Sequence, residues 1–228
     1  MLSFWYIQAT ADGPAAGSPP ACSRTYPRRL PLQKLRSGVA KFRSEILSQK
    51  AAKFSELAEG QHPRVVLITC SDSRIDPSLL CQTDPGDLFV IRNAGNIVPP
   101  EGSGSGGEIA TLEYAIKALQ VPQILVCGHS KCGAMGAVMD PESAASLGHV
   151  CNWIEHAKPA HRDGSDLNTQ LQDKIRHQIA NLRTYDFIRE AEADGRLTLH
   201  GWVYRFETGD VEQLDPETGT FERLGTET

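Results

Sequence analysis

No stretch of 18 consecutive apolar residues occurs in the 228-residue chain, so no segment reads as a membrane-spanning helix. Nor is there a block of basic residues. Lys and Arg number 23 against 28 Asp and Glu, a net charge of −5, which argues against a nucleic-acid binder. The opening MLSFWYIQATADGPAAGSPPACS lacks a positive n-region, and Gln8, Thr10, Asp12 and Gly13 interrupt its apolar start. It therefore fits a secretory signal poorly and is expected to be a disordered or weakly ordered leader over residues 1–30. Cysteine is sparse too: Cys22, Cys70, Cys81, Cys127, Cys132 and Cys151 are spread widely, unlike the dense framework of a small disulfide-stapled domain. Reduced thiols, available to a metal or to catalysis, are the expectation.

What remains is an ordinary globular composition, 40% hydrophobic and 22% charged. On folding, about 70% of the chain's surface can be buried, enough for a core without staples. Residues 31–60 carry Leu35, Val39, Phe42, Ile46 and Leu47 at helical spacing, and Gly60 is placed to cap the segment. VVLIT (65–69), DLFVI (87–91) and QILVCG (123–128) are continuous apolar runs of the kind found in buried parallel strands. Between and after them lie amphipathic helical patterns, one at Ile109, Leu112, Ile116 and Leu119, another at Leu171, Ile175, Ile179 and Leu182. LHGWVYRF (199–206) then turns at Thr208-Gly209-Asp210 into VEQLD, an antiparallel hairpin. The pattern predicts one α/β domain over 31–228: a mostly parallel central sheet flanked by helices, with a long N-terminal helical arm and a C-terminal antiparallel hairpin.

Two of the short strands run straight into metal-capable residues. VVLIT leads into Cys70-Ser71-Asp72-Ser73-Arg74, and QILVC into Gly128-His129-Ser130-Lys131-Cys132-Gly133. Ligands of open α/β sheets bind beyond the carboxyl ends of the strands, so adjacent strands would bring Cys70, Asp72, His129 and Cys132 to one point. Two thiolates, an imidazole and a carboxylate suit tetrahedral zinc. The His129-x-x-Cys132 spacing lets both side chains reach one ion from an opening helical turn, and Cys70-x-Asp72 places alternate side chains on one face of a strand end. Cys70, His129 and Cys132 suffice to hold the ion, which makes Asp72 a removable fourth ligand. Arg74 can grip its carboxylate bidentately and draw it away. Zinc with two thiolates is formally neutral, so bound water is acidified less than in a three-histidine site, and activity should climb from about pH 7 to 9.

Other features read as bland. Gly102 to Gly107 contains a literal G-x-G-x-x-G, but no strand leads directly into it and no acid follows at the right distance. Cys127 and Cys151 read as core thiols, and Trp202, Tyr204 and Phe206 as one core stripe. The histidines other than His129 carry no pattern of their own.

CSDSRIDP (70–77), GDLFVIRNAGNIVPP (86–100), LEYA (112–115), GHSKCGA (128–134) and LHGWVYRFETG (199–209) resemble, in order and spacing, the motifs of β-class carbonic anhydrases. The similarity covers residues 31–217. It implies an enzyme with one Zn²⁺ per chain that interconverts CO₂ and bicarbonate through zinc-bound hydroxide. By position in the motifs, Cys70, His129 and Cys132 would bind zinc and Asp72 with Arg74 would form a gating dyad. Gln61, Phe89 and Tyr114 would line the substrate pocket of a homodimer or dimer of dimers, with residues 31–60 embracing the partner. Leu67 stands where the bicarbonate-inhibited subclass has Trp, which favours the plant-like, open-site subclass. A cytoplasmic location is implied, with the carboxysome as the alternative. Two departures stand out: Lys174 replaces the family's usual Asn, and Asp186 the proline after T-Y. The alternatives are a zinc hydrolase of a sulfur analogue of CO₂ on the same fold, and a catalytically silent zinc-stabilised scaffold.

Overall fold

The computed structural model describes residues 32–104, 106–161 and 164–225; the expected leader and Cys22 lie outside the described residues. The chain divides at Gln61/His62 into two compact units, a boundary that falls inside the single domain expected from sequence.

The N-terminal unit is the expected arm, built as helices Leu32–Lys41 and Ala51–Glu59 joined through a π-helical stretch Phe42–Ile46 and a short turn Leu47–Gln49. Phe42 and Phe54 meet edge to face, their ring centroids 5.4 Å apart. None of its helices has a buried residue, and Leu35 (68%) and Val39 (60%) stay exposed. Gly60 ends the arm in extended backbone (φ 165°) rather than the left-handed cap that glycine favours.

The second unit is built on a six-stranded sheet in the order β2-β1-β3-β4-β5-β6. Strands β1 (Val65–Cys70), β2 (Leu88–Asn93), β3 (Gln123–His129) and β4 (Thr198–Tyr204) are parallel. Strands β5 (Val211–Leu214) and β6 (Phe221–Arg223) close the edge in antiparallel pairing. The hairpin read from sequence thus begins on a strand of the parallel sheet, and β6 extends it by one strand. Along β1 and β3 the side chains alternate between two apolar layers. Val66, Ile68, Ile124 and Val126 join the larger one, and Leu67, Leu125 and Cys127 the smaller. This two-sided burial is why these strands read as continuous apolar runs rather than alternating ones.

The helix Leu167–Leu182 is capped by the Asp166 carboxylate, which accepts from the Asn168 and Thr169 amides, and it packs on the larger layer through Leu171, Ile175, Ile179 and Leu182. Gly201 in β4 lets this helix approach, since a Cβ there would lie 2.6 Å from Ile175 Cγ2. Trp202 and Tyr204 pack on the smaller layer, whereas Phe206 packs on the larger. The expected aromatic stripe is therefore split, because β4 ends at Tyr204 and the chain turns back through the Arg205–Asp210 hydrogen bond.

Candidate metal centre

Register sets the site. On β1, Thr69 pairs with Cys127 of β3, so the carboxyl ends of the two strands finish side by side at Cys70 and His129. The Thr69 hydroxyl donates to the Cys127 carbonyl at 3.0 Å, locking that register. Beyond β3 the chain makes a tight strand-to-helix turn, with Lys131 in the left-handed region (φ 54°), and Cys132 sits in extended backbone at the N-cap position of the helix Gly133–Met139, its sulfur making no capping bond. His129 and Cys132 are thus three residues apart across a turn and not on one helical turn, as the spacing alone suggested. The outcome is the same: a ligand atom from each of Cys70, His129 and Cys132 lies within 4.8 Å of the others, all three residues buried.

The donor chemistry fits a soft divalent ion such as zinc. His129 Nδ1 lies 2.8 Å from the Ser130 carbonyl, to which it can only donate. That leaves the Nε2 lone pair free, and Nε2 is buried with no hydrogen-bond partner. An orphaned imidazole nitrogen beside two sulfurs is a metal ligand set, since burying it unpaired would otherwise cost about 1–3 kcal/mol. The two cysteines share a proton in their free state. A hydrogen bond between them holds the Cys132 thiol well below its ordinary range and pushes Cys70 above it. A divalent ion displaces that proton.

Asp72 is not one of the three converging groups. Both its oxygens face Arg74, Nε donating to Oδ1 at 2.9 Å and Nη2 to Oδ2 at 2.7 Å, and the Arg74 amide adds a third bond at 3.0 Å. Arg74 also donates to the Lys131 carbonyl, tying the pair to the loop that carries His129 and Cys132. These bonds hold the Asp72 carboxyl at about 2, below the ordinary 3.8. Because the folded value lies below the unfolded one, the pair stabilises the fold above about pH 4 and loses that contribution as pH falls toward about 2. Urea midpoints of wild type and Asp72→Asn should accordingly keep a constant gap from about pH 7 to 5 and converge in stronger acid. A gap that stays open there would contradict the pairing.

Several supporting residues were not read from sequence as part of the site; Phe206 was read there only as core. Arg92 of β2 donates to the carbonyls of Cys70 (2.9 Å) and Asp72 (2.8 Å), bracing the loop between them. Phe206 lies between the two halves of the site, its ring 4.9 Å from that of His129 and 4.5 Å from the Arg74 guanidinium. Ser130 accepts from the Phe206 amide and donates to Glu207, fixing that ring's approach. Gly95 (φ 84°) donates its amide to Cys70 Sγ at 3.3 Å, and a Cβ there would stand 2.6 Å from Ala134 Cβ. Gly95→Ala should destabilise the fold by about 2–4 kcal/mol, read from urea unfolding, through left-handed strain and overpacking together.

Of the residues expected at the substrate pocket, Phe89 and Tyr114 are brought together, ring centroids 6.3 Å apart. Gln61 is the exposed last residue of the N-terminal unit. Cys127 is buried, its thiol pushed up to about 12 by desolvation, as fits a core thiol. Cys151 is only partly buried and donates to the Ala144 carbonyl.

This sheet, with its cluster at the ends of β1 and β3, matches known proteins. The carbonic anhydrase family profile matches residues 65–211. The chain belongs to the β-carbonic anhydrases. A carbonic anhydrase from Synechocystis sp. is 45% identical over 195 residues, spanning 81% of this chain and 71% of that protein. One from Pseudomonas aeruginosa is 43% identical over 82% of this chain and 89% of its own length. Among solved structures, the β-carbonic anhydrase CcaA superposes with a TM-score of 0.79 at 44% identity, covering 83% of this chain and 98% of the other. The Coccomyxa β-carbonic anhydrase, solved in complex with acetazolamide, gives 0.72 at 29% identity over 82% and 87%. The chain is therefore a carbonic anhydrase, with the family's α/β fold and a Cys-His-Cys cluster compatible with zinc. Among the described residues no helix is long and apolar enough to cross a membrane.

Proposed function

We propose that this chain catalyses the reversible hydration of CO₂ to bicarbonate at one zinc ion held by Cys70, His129 and Cys132, with Asp72 and Arg74 as a gating pair. The observation that carries this reading is a three-ligand cluster beside a carboxylate that an arginine holds elsewhere. A closed structural site needs four protein ligands, whereas a catalytic one keeps a position open. Zinc bound there would supply a Lewis acid able to make water nucleophilic near neutral pH.

The protein's own groups do the rest. Asp72, ionised and fixed by Arg74, offers an oxygen as hydrogen-bond acceptor and so orients the attacking group toward carbon. Released from Arg74, it is the natural fourth ligand and would close the site. Phe89 and Tyr114 supply apolar wall for a small uncharged substrate. The exposed apolar residues of the arm fit a partner subunit, and the Sordaria macrospora relatives at 27% identity are described as tetrameric. A homodimer or dimer of dimers follows. Free thiols at the metal site fit a reducing compartment such as the cytoplasm, with the carboxysome as the alternative location.

Stopped-flow CO₂ hydration with a pH indicator tests the reading. Zinc-loaded protein should hydrate CO₂ at a rate that climbs from about pH 7 to 9. Chelation should abolish the activity while circular dichroism persists. Preference for a sulfur analogue of CO₂ over CO₂ itself, or unfolding on chelation with no hydration beforehand, would overturn it.

A further inference from the structure

Lys174 is wholly buried, on the face of the Leu167–Leu182 helix that also buries Leu171, Ile175 and Gln178. Lysine is almost never so placed without a partner, because a desolvated ammonium needs a counter-charge. Its Nζ has two polar partners among the described residues: Asn96 Oδ1 at 2.8 Å and Cys132 Sγ at 3.9 Å. The amide oxygen is neutral. The counter-charge is therefore the sulfur of a metal-ligating cysteine.

The anchor is rigid. Asn96 is buried in left-handed backbone (φ 46°), inside a turn that Asn93 closes by bonding both the amide and the carbonyl of Ile97 at 2.8 Å. The same turn points the Gly95 amide at Cys70 Sγ. Each ligand thus has its own outer partner: Gly95 for Cys70, the Ser130 carbonyl for His129, and Lys174 for Cys132. Only the last carries a full charge.

We propose that Lys174 is a positioning residue of the metal centre, its ammonium fixed by Asn96 so as to polarise the Cys132 sulfur and make a bound divalent ion a stronger electron acceptor. The inference rests on the metal centre proposed above. A divalent ion with two thiolates is formally neutral, so the sulfurs quench much of its charge. A cation held against one of them lowers the energy of the sulfur donor orbitals and returns part of that pull. Mere filling of space by the lysine would leave those orbitals untouched, which gives a direct test.

Cobalt(II) replaces zinc as the probe, and the sulfur-to-cobalt charge-transfer absorption is recorded for wild type, Lys174→Met and Lys174→Gln. Methionine keeps the volume without charge or donor; glutamine keeps a donor without charge. Both bands should move to longer wavelength than that of wild type. If methionine at this position prevents folding, the glutamine variant decides alone. Bands coincident with wild type would overturn the role of Lys174, and so would a wild-type band in the glutamine variant beside a shift in the methionine one. Wild-type protein that takes up cobalt without any thiolate band would overturn the metal centre itself, an outcome separable from the others.

Discussion

His129→Ala should bind less than about a tenth of an equivalent of zinc and lose CO₂ hydration by at least about 10⁴-fold. The nitrogen it removes is the buried, unpartnered Nε2, and no other imidazole belongs to the cluster. Because His129 is fully buried against Phe206, the truncation should also cost about 2–3 kcal/mol of stability. Cys132→Ser separates the two effects. It keeps nearly the same volume, so it opens no cavity while the metal is lost, and the stability it does lose reports the counter-charge removed from the buried Lys174. In both variants, added zinc should no longer raise the unfolding temperature, since stabilisation by a bound ion requires that the native state hold it. Full zinc occupancy in either variant, measured by mass spectrometry of the metal, would remove the cluster from the account.

Asp72→Asn should leave zinc at one equivalent and lower kcat/KM by about 10²-fold. The asparagine amide can offer Arg74 only one acceptor, and its NH₂ would face the guanidinium donor to donor. The bidentate grip is lost, and with it the fixed hydrogen-bond acceptor beside the metal. Arg74→Lys should fall nearly as far, because an ammonium cannot reproduce the forked bonds to Oδ1 and Oδ2. Stopped-flow hydration alongside metal analysis distinguishes this from ligand loss. A fall in zinc content that tracks the fall in rate would make Asp72 a permanent ligand instead.

The sheet was legible because β1 and β3 are buried on both faces, which writes them as unbroken apolar runs. The ligand set was legible for a related reason. Cys70 and His129 are the last residues of those strands, where chain order and space coincide. The turn through Lys131 was not, since a non-glycine residue at positive φ leaves no mark in residue spacing. Phe206 comes from the turn after β4 and Arg92 from β2, and their roles depend on distances between segments far apart in sequence. Lys174 was visible only as a departure from the family pattern. Its proximity to Cys132 comes from the packing of the Leu167–Leu182 helix on the sheet. The π-helical stretch Phe42–Ile46 in the arm likewise follows no periodicity that apolar spacing reveals.

The most direct test of the whole account is a titration of metal-free protein with zinc, recording bound metal and the initial rate of CO₂ hydration at each step. The rate should rise in proportion to bound zinc and stop at one ion per chain. Zinc that binds to that level without any hydration above buffer would contradict a catalytic centre at Cys70, His129 and Cys132.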